Sequence, residues 1–134
     1  MKKIIYLSLL AVIFASCTPQ DTGPEQKLVL LPITEVTFPT TFTENVVAEI
    51  PIKYVLPDGC HRFYDFYYLK TNNTRTVAII AAKVSQDVCT QAVVTETQIL
   101  KFKPTLAGTY TFKFYKGKDA AGVAEYFEYD AVVN

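Results

Sequence analysis

Tryptophan is absent from this chain, and its 134 residues hold only two arginines, one histidine and three cysteines. Each shortage narrows the chemistry. With a single imidazole, any Ser-His-Asp or Cys-His nucleophile would have to use His61. No Gly-x-Ser-x-Gly elbow is present, and no glycine-rich loop that would cradle a phosphate. Basic and acidic side chains balance at 13 each, whereas nucleic-acid binding favours a basic stripe and a high pI, so no nucleic-acid partner is expected. The absence of tryptophan also weighs against a sugar-stacking site. No internal repeat is visible. No amphipathic helix follows the N-terminal leader. The expectation is a protein that is not an enzyme and carries neither cofactor nor metal.

The N-terminus is informative. Lys2 and Lys3 precede an apolar run, Ile4 to Ala15, of 12 residues. That length is too short to span a bilayer and suits the core of an export signal. Small residues and Cys17 follow. The run Phe14-Ala15-Ser16-Cys17 resembles the lipobox of bacterial lipoproteins, with Phe14 where that family prefers an aliphatic residue. The resemblance implies a signal peptide over 1–16, removed by cleavage before Cys17, and a diacylated Cys17 as the lipid attachment. The alternative is an ordinary secretory signal cut near Ser16. Two or more acyl chains hold far better than one myristoyl group. The expected location is the Gram-negative cell envelope, lipid-anchored in the outer membrane, facing the periplasm or the surface. Loss of the leader leaves 11 basic side chains against 13 acidic, a net charge of about −2. Residues 17–27 then read as the lipidated cysteine and a flexible tether, because TPQDTGPEQK is polar, Pro/Gly-punctuated and aperiodic.

Residues 28–134 are read as one domain, rich in Tyr, Phe, Thr and Val, the residues enriched in strands. The first strand lies within Leu28–Phe38, with Pro32 able to split it. In Val46–Leu56 the residues Val46, Ala48, Ile50, Ile52, Tyr54 and Leu56 fall on one face, with Glu49 and Lys53 on the other. Pro51 on the other face suggests an edge strand or a bulge. Strands over 62–71 and 75–84 flank Asn72-Asn73, which suits a tight hairpin because Asn tolerates positive φ. Strands over 93–103, 110–115 and 123–133 complete seven. The motif Leu106-Ala107-Gly108-Thr109-Tyr110 resembles the E–F corner of immunoglobulin-like domains, which implies that the Tyr110 hydroxyl bonds back to upstream backbone. It also implies an all-β, immunoglobulin-like antiparallel β-sandwich of about seven strands. Antibody-type domains carry Cys where this chain has Phe112, so their inter-sheet disulfide has no counterpart here.

Cys60 and Cys89 are an even pair in an exported chain and are expected to form a disulfide. A metal held by Cys60, Cys89 and His61 is disfavoured, because adjacent strand residues 60 and 61 point to opposite faces. Asp58, Asp65 and Asp87 are the acids available for a carboxylate pair. Lys101, Lys103, Lys113, Lys116 and Lys118 form a candidate basic patch. The run Phe63-Tyr64-Asp65-Phe66-Tyr67-Tyr68 holds more rings than one strand face can bury. Phe63 and Phe66, three apart, suggest a bulge. Tyr64, Tyr67 and Tyr68 are therefore the candidate ligand-binding residues, for an unknown protein or glycan partner. The functional expectation is a non-enzymatic envelope lipoprotein, a binding or structural accessory module. The alternatives are a periplasmic protease inhibitor presenting loops 85–91 and 116–122, and a surface glycan-binding protein.

Overall fold

The computed structural model describes residues 25–85 and 88–134. The leader, Cys17, most of the tether and Asp87 lie outside the described residues. Eight strands run in order: β1 (Gln26–Leu31), β2 (Ile33–Val36), β3 (Ala48–Leu56), β4 (His61–Thr71), β5 (Thr74–Val84), β6 (Val94–Phe102), β7 (Gly108–Lys118) and β8 (Ala124–Val133). They form a five-stranded and a three-stranded sheet, packed face to face as an all-β sandwich of the immunoglobulin-like kind.

Pro32 is the reason the count is eight rather than seven. β1 pairs with β5 in one sheet and β2 with β3 in the other, so the chain changes sheets at this proline. A residue with fixed φ and no N–H suits a crossing point. β1 starts at Gln26, two residues ahead of the expected Leu28.

The second departure is a parallel ladder. β5 pairs with β7 in parallel over 74–77, whereas every other strand pair is antiparallel. The intervening β6 belongs to the opposite sheet, so the chain leaves one layer and returns running the same way. β4 covers β5 along its length on one side, while β1 and β7 share the other side end to end.

Pro51 is not on an edge strand. β3 lies between β2 and β6. The Pro51 carbonyl accepts from the Thr37 N–H at 2.9 Å, just where β2 has ended. The missing Pro51 N–H faces that same side, so no bond to β6 is lost. Val46 is a further correction. It precedes β3 and is 55% exposed, while Ile50, Ile52, Tyr54 and Leu56 are buried as their alternation requires.

The core is aromatic at its centre. Phe112 is fully buried, with its ring centroid 4.9 Å from Phe102 and 5.4 Å from Phe38, both edge-on. It holds the motif position, two residues after the corner tyrosine, at which antibody domains carry a disulfide cysteine. Phe38 and Phe42, in the link after β2, also pack into this cluster. Phe42 is held there because the Asn134 N–H donates to its carbonyl.

The Tyr110 corner forms as expected, with the hydroxyl donating to the Leu106 carbonyl at 3.0 Å. Gly108 lies between them at φ 135°, a conformation that side chains resist. Tyr110→Phe keeps the ring and removes this bond. Its expected cost is about 0.5–1.5 kcal/mol by denaturant titration.

Candidate functional site

The aromatic run in β4 is divided by a bulge. The register shifts between Phe63 and Asp65, leaving Tyr64 as the extra residue. The Asp65 carboxylate caps the irregularity by accepting the Phe66 N–H at 2.7 Å. The shift lets both Phe63 and Phe66 turn to the core, edge to face at 5.3 Å, with Tyr68 on the same side. Tyr64 is 57% exposed and Tyr67 39%. The three candidate tyrosines therefore do not share one site.

Tyr68 lines a cleft of about 340 Å³ where the two sheets part, between β4–β5 and the end of β6. Leu100, Phe102 and Pro104 supply its apolar side, and Lys70, Arg75, Lys101 and Lys103 bring positive charge. No carboxylate lines it among the described residues. Arg75 is held in place. Its Nη1 donates to the Asn72 carbonyl at 2.7 Å and the Thr74 carbonyl at 3.0 Å. Its guanidinium lies 5.0 Å from the Tyr110 ring centroid. Nε is buried and has no partner among the described residues, a deficit that costs about 1–3 kcal/mol. Burial pushes the Tyr68 hydroxyl above the usual phenol range, and the Arg75 charge offsets part of that. Tyr68 therefore stays protonated at neutral pH.

Tyr67 points the other way, onto the outer face of the larger sheet. With Leu30, Leu69, Tyr115 and Tyr126 it rims a shallow apolar trough of about 370 Å³. Tyr64 lines neither the cleft nor the trough.

The basic residues separate likewise. Lys101 and Lys103 reach the cleft, but Lys113 pairs with Glu128 at 3.1 Å across the β7–β8 ladder. Lys116 lies over the Phe127 ring, and Lys118 joins the outer trough. Residues 116–118 belong to β7, so the loop expected over 116–122 shortens to the turn after Lys118. Asp119 ties that turn down by accepting the Ala121 and Val123 N–H groups at 2.9 and 2.8 Å. The 85–91 loop lies only partly within the described residues.

Cys60 and Cys89 form the disulfide, with Cα atoms 5.3 Å apart. Asp58, not His61, is the third potential ligand close to the sulfurs. A disulfide offers no thiolate, so the arrangement does not suit a soft metal. His61 Nδ1 instead meets Asp58 Oδ1 at 2.6 Å, and the same oxygen accepts the Cys60 N–H at 2.8 Å. These bonds, the one to His61 first, hold the Asp58 carboxyl below its ordinary range. A depressed folded-state pKa stabilises the fold above the ordinary carboxylate value and is lost as pH falls through the lower one. Stability should therefore drop below about pH 4, and Asp58→Asn should flatten that part of the pH profile. Neither Asp58 nor Asp65 is left free for acid–base work, since each caps its own turn or bulge.

Elsewhere, the buried Tyr54 hydroxyl donates to Glu96 at 2.5 Å, and burial together with Glu96 raises its pKa. This is a structural pair linking β3 to β6. The residues that sequence reasoning missed are Lys70 and Arg75. Neither stands out in its own segment, and only the β4–β5 hairpin carries them to β6.

Nothing matches the chain among curated proteins or among solved structures. One protein-family model does match, that of the ORF11 β-sandwich domain, over residues 50–126. The match runs from within β3 into β8 and takes in the bulge, the disulfide, the tyrosine corner and the whole edge cleft. It covers more than half of the sequence, and the chain therefore belongs to the ORF11 β-sandwich family.

Proposed function

We propose that this protein is a lipid-anchored, non-enzymatic binding module of a Gram-negative envelope. The leader and Cys17 support the anchor. The observation that carries the binding role is the edge cleft, which has an immobilised arginine, an apolar side and a size in the range of small-molecule sites. The fold alone assigns no function. The test is a ligand and substrate screen on the purified mature protein. The expected result is thermal stabilisation by a ligand without turnover of ester, peptide, glycoside or phosphate substrates. Turnover of any of these, lost on substitution of a residue in this chain, would overturn the reading.

A second reading, glycan capture, is favoured by the outer trough, where Tyr67 and Tyr126 present rings of the kind on which sugars stack. On a glycan array, Tyr67→Ala should abolish such binding. Tyr68→Ala, on the opposite face, should leave it unchanged.

A further inference from the structure

We propose that the edge cleft binds a small organic oxyanion, a carboxylate or phosphate group borne on a compact apolar or ring-shaped body. This deepens the binding-module reading and rests on it.

The charge around the cleft is local, not a reflection of the whole chain. After the leader, acidic side chains outnumber basic ones, 13 to 11. Lys53 and Lys113 are each paired with a glutamate, at 2.6 and 3.1 Å. Lys70, Arg75, Lys101 and Lys103 form no ion pair among the described residues, yet they come together from two sheets at one opening. Gathering like charges costs energy unless a counter-charge is bound.

The arginine geometry is more specific than the charge. Both bonds from Nη1 run to backbone carbonyls, and one face of the guanidinium lies against Tyr110. The other edge, Nε and Nη2, makes no bond to backbone, and the Tyr68 hydroxyl lies beside the guanidinium. Two N–H groups on one guanidinium edge match both oxygens of a carboxylate or phosphate. Nε is buried and lacks an acceptor among the described residues, so a ligand oxygen satisfies it only if the guanidinium edge tilts toward the cleft on binding. Because Arg75 is already fixed, little side-chain entropy is lost on binding. Tyr68, protonated, adds a donor rather than a competing charge. Leu100 and Phe102 explain why a bare ion is not the best fit: they offer surface for a carbon body.

The ligand is assigned to solution, because the cleft and the tether lie at opposite ends of β5. The tether enters at Gln26, opposite Val84 at one end of β5. Arg75 stands near the other end of that strand. Ten strand residues separate the two ends by about 33 Å.

The test is nuclear magnetic resonance on the full mature chain in neutral detergent. Only Arg62 and Arg75 contribute arginine Nε–H signals. Benzoate or phenyl phosphate should shift the Arg75 signal saturably and leave that of Arg62 in place. Methyl benzoate, which has the same ring without the charge, should bind at least tenfold more weakly. The Lys70→Glu, Lys103→Glu double variant should weaken the anions at least tenfold with an unchanged thermal midpoint. Anion binding unaffected by this double variant would overturn the proposal. Equal binding of ester and acid would also overturn it while leaving a binding module for neutral ligands. No shift with any probe would remove both the proposal and the observation that carries the binding role. A shift produced by anionic phospholipid vesicles but not by soluble anions would overturn the assignment to a ligand in solution.

Discussion

Phe112→Ala is expected to destabilise the domain by about 3–5 kcal/mol, the range for emptying a buried aromatic site. Against a total stability of about 5–15 kcal/mol, that is a lowering of the thermal midpoint by roughly 10–20 °C. The ring is fully buried where the two sheets meet, and Phe38, Phe102 and Phe114 all lie against it. They come from the link after β2 and from β6 and β7, so a void here loosens both layers. Phe112→Leu refills part of the volume and should cost less. Lys118→Ala, on the exposed end of the same strand, should stay within about 0.5 kcal/mol of wild type. Chemical denaturation of the three variants checks the order. A silent Phe112→Ala would mean that the sheets do not pack through this residue.

The second large effect is loss of the Cys60–Cys89 bridge. The cysteines are 29 residues apart, and a closed loop of that length is worth about 3–4 kcal/mol in the chain-entropy model. The bridge fastens the start of β4 to the loop after β5, where backbone bonds Gly59 N–H to Thr90 O and Val84 N–H to Cys60 O already join the ends. Those bonds survive reduction in the folded state, so the native structure should persist. The loss acts through a less restricted unfolded chain. The Cys60→Ala, Cys89→Ala double variant should therefore show a lower midpoint in urea and a larger m-value, since its unfolded state exposes more surface. A loss under about 1 kcal/mol would contradict the entropic account. Gly59 adds a second constraint nearby, because a Cβ there would run into the Thr90 side chain.

What could be read from sequence was mostly local. The tyrosine corner depends on five consecutive residues, and Tyr110 bonds to Leu106 as its motif implies. The β4 bulge could be read from the three-residue spacing of Phe63 and Phe66, because two core-facing rings at odd spacing need one extra residue between them. Asn72 takes φ 53° in the hairpin turn for the same kind of local reason. The features that could not be read depend on which strands become neighbours. Pro51 is harmless in a central strand only because β2 stops one residue short of it. The parallel β5–β7 ladder follows from β6 changing layers, and no alternation pattern records that. Phe38 and Phe42 sit in a Pro/Thr-rich link that reads as a turn, yet both pack on the core. The edge cleft is the plainest case. Lys70 and Arg75 flank one hairpin and Lys101 and Lys103 end another strand, so their convergence is a property of the sandwich, not of any segment.

Separating Tyr67 from Tyr68 also sharpens what the aromatic run can do. One strand serves two surfaces, an apolar trough outside and a charged cleft at the edge. A ligand that needs both rings at once is excluded, and single substitutions at 67 and 68 should have independent effects.

The reading of this family member as a membrane-held binding module depends on lipid attachment at Cys17. Metabolic labelling with a clickable fatty acid, followed by mass spectrometry of the N-terminal peptide, tests that most directly. The expected result is label on a mature chain beginning at Cys17, lost together with membrane association in Cys17→Ala. Label that survives Cys17→Ala, or an unlabelled chain cut near Ser16, would contradict it.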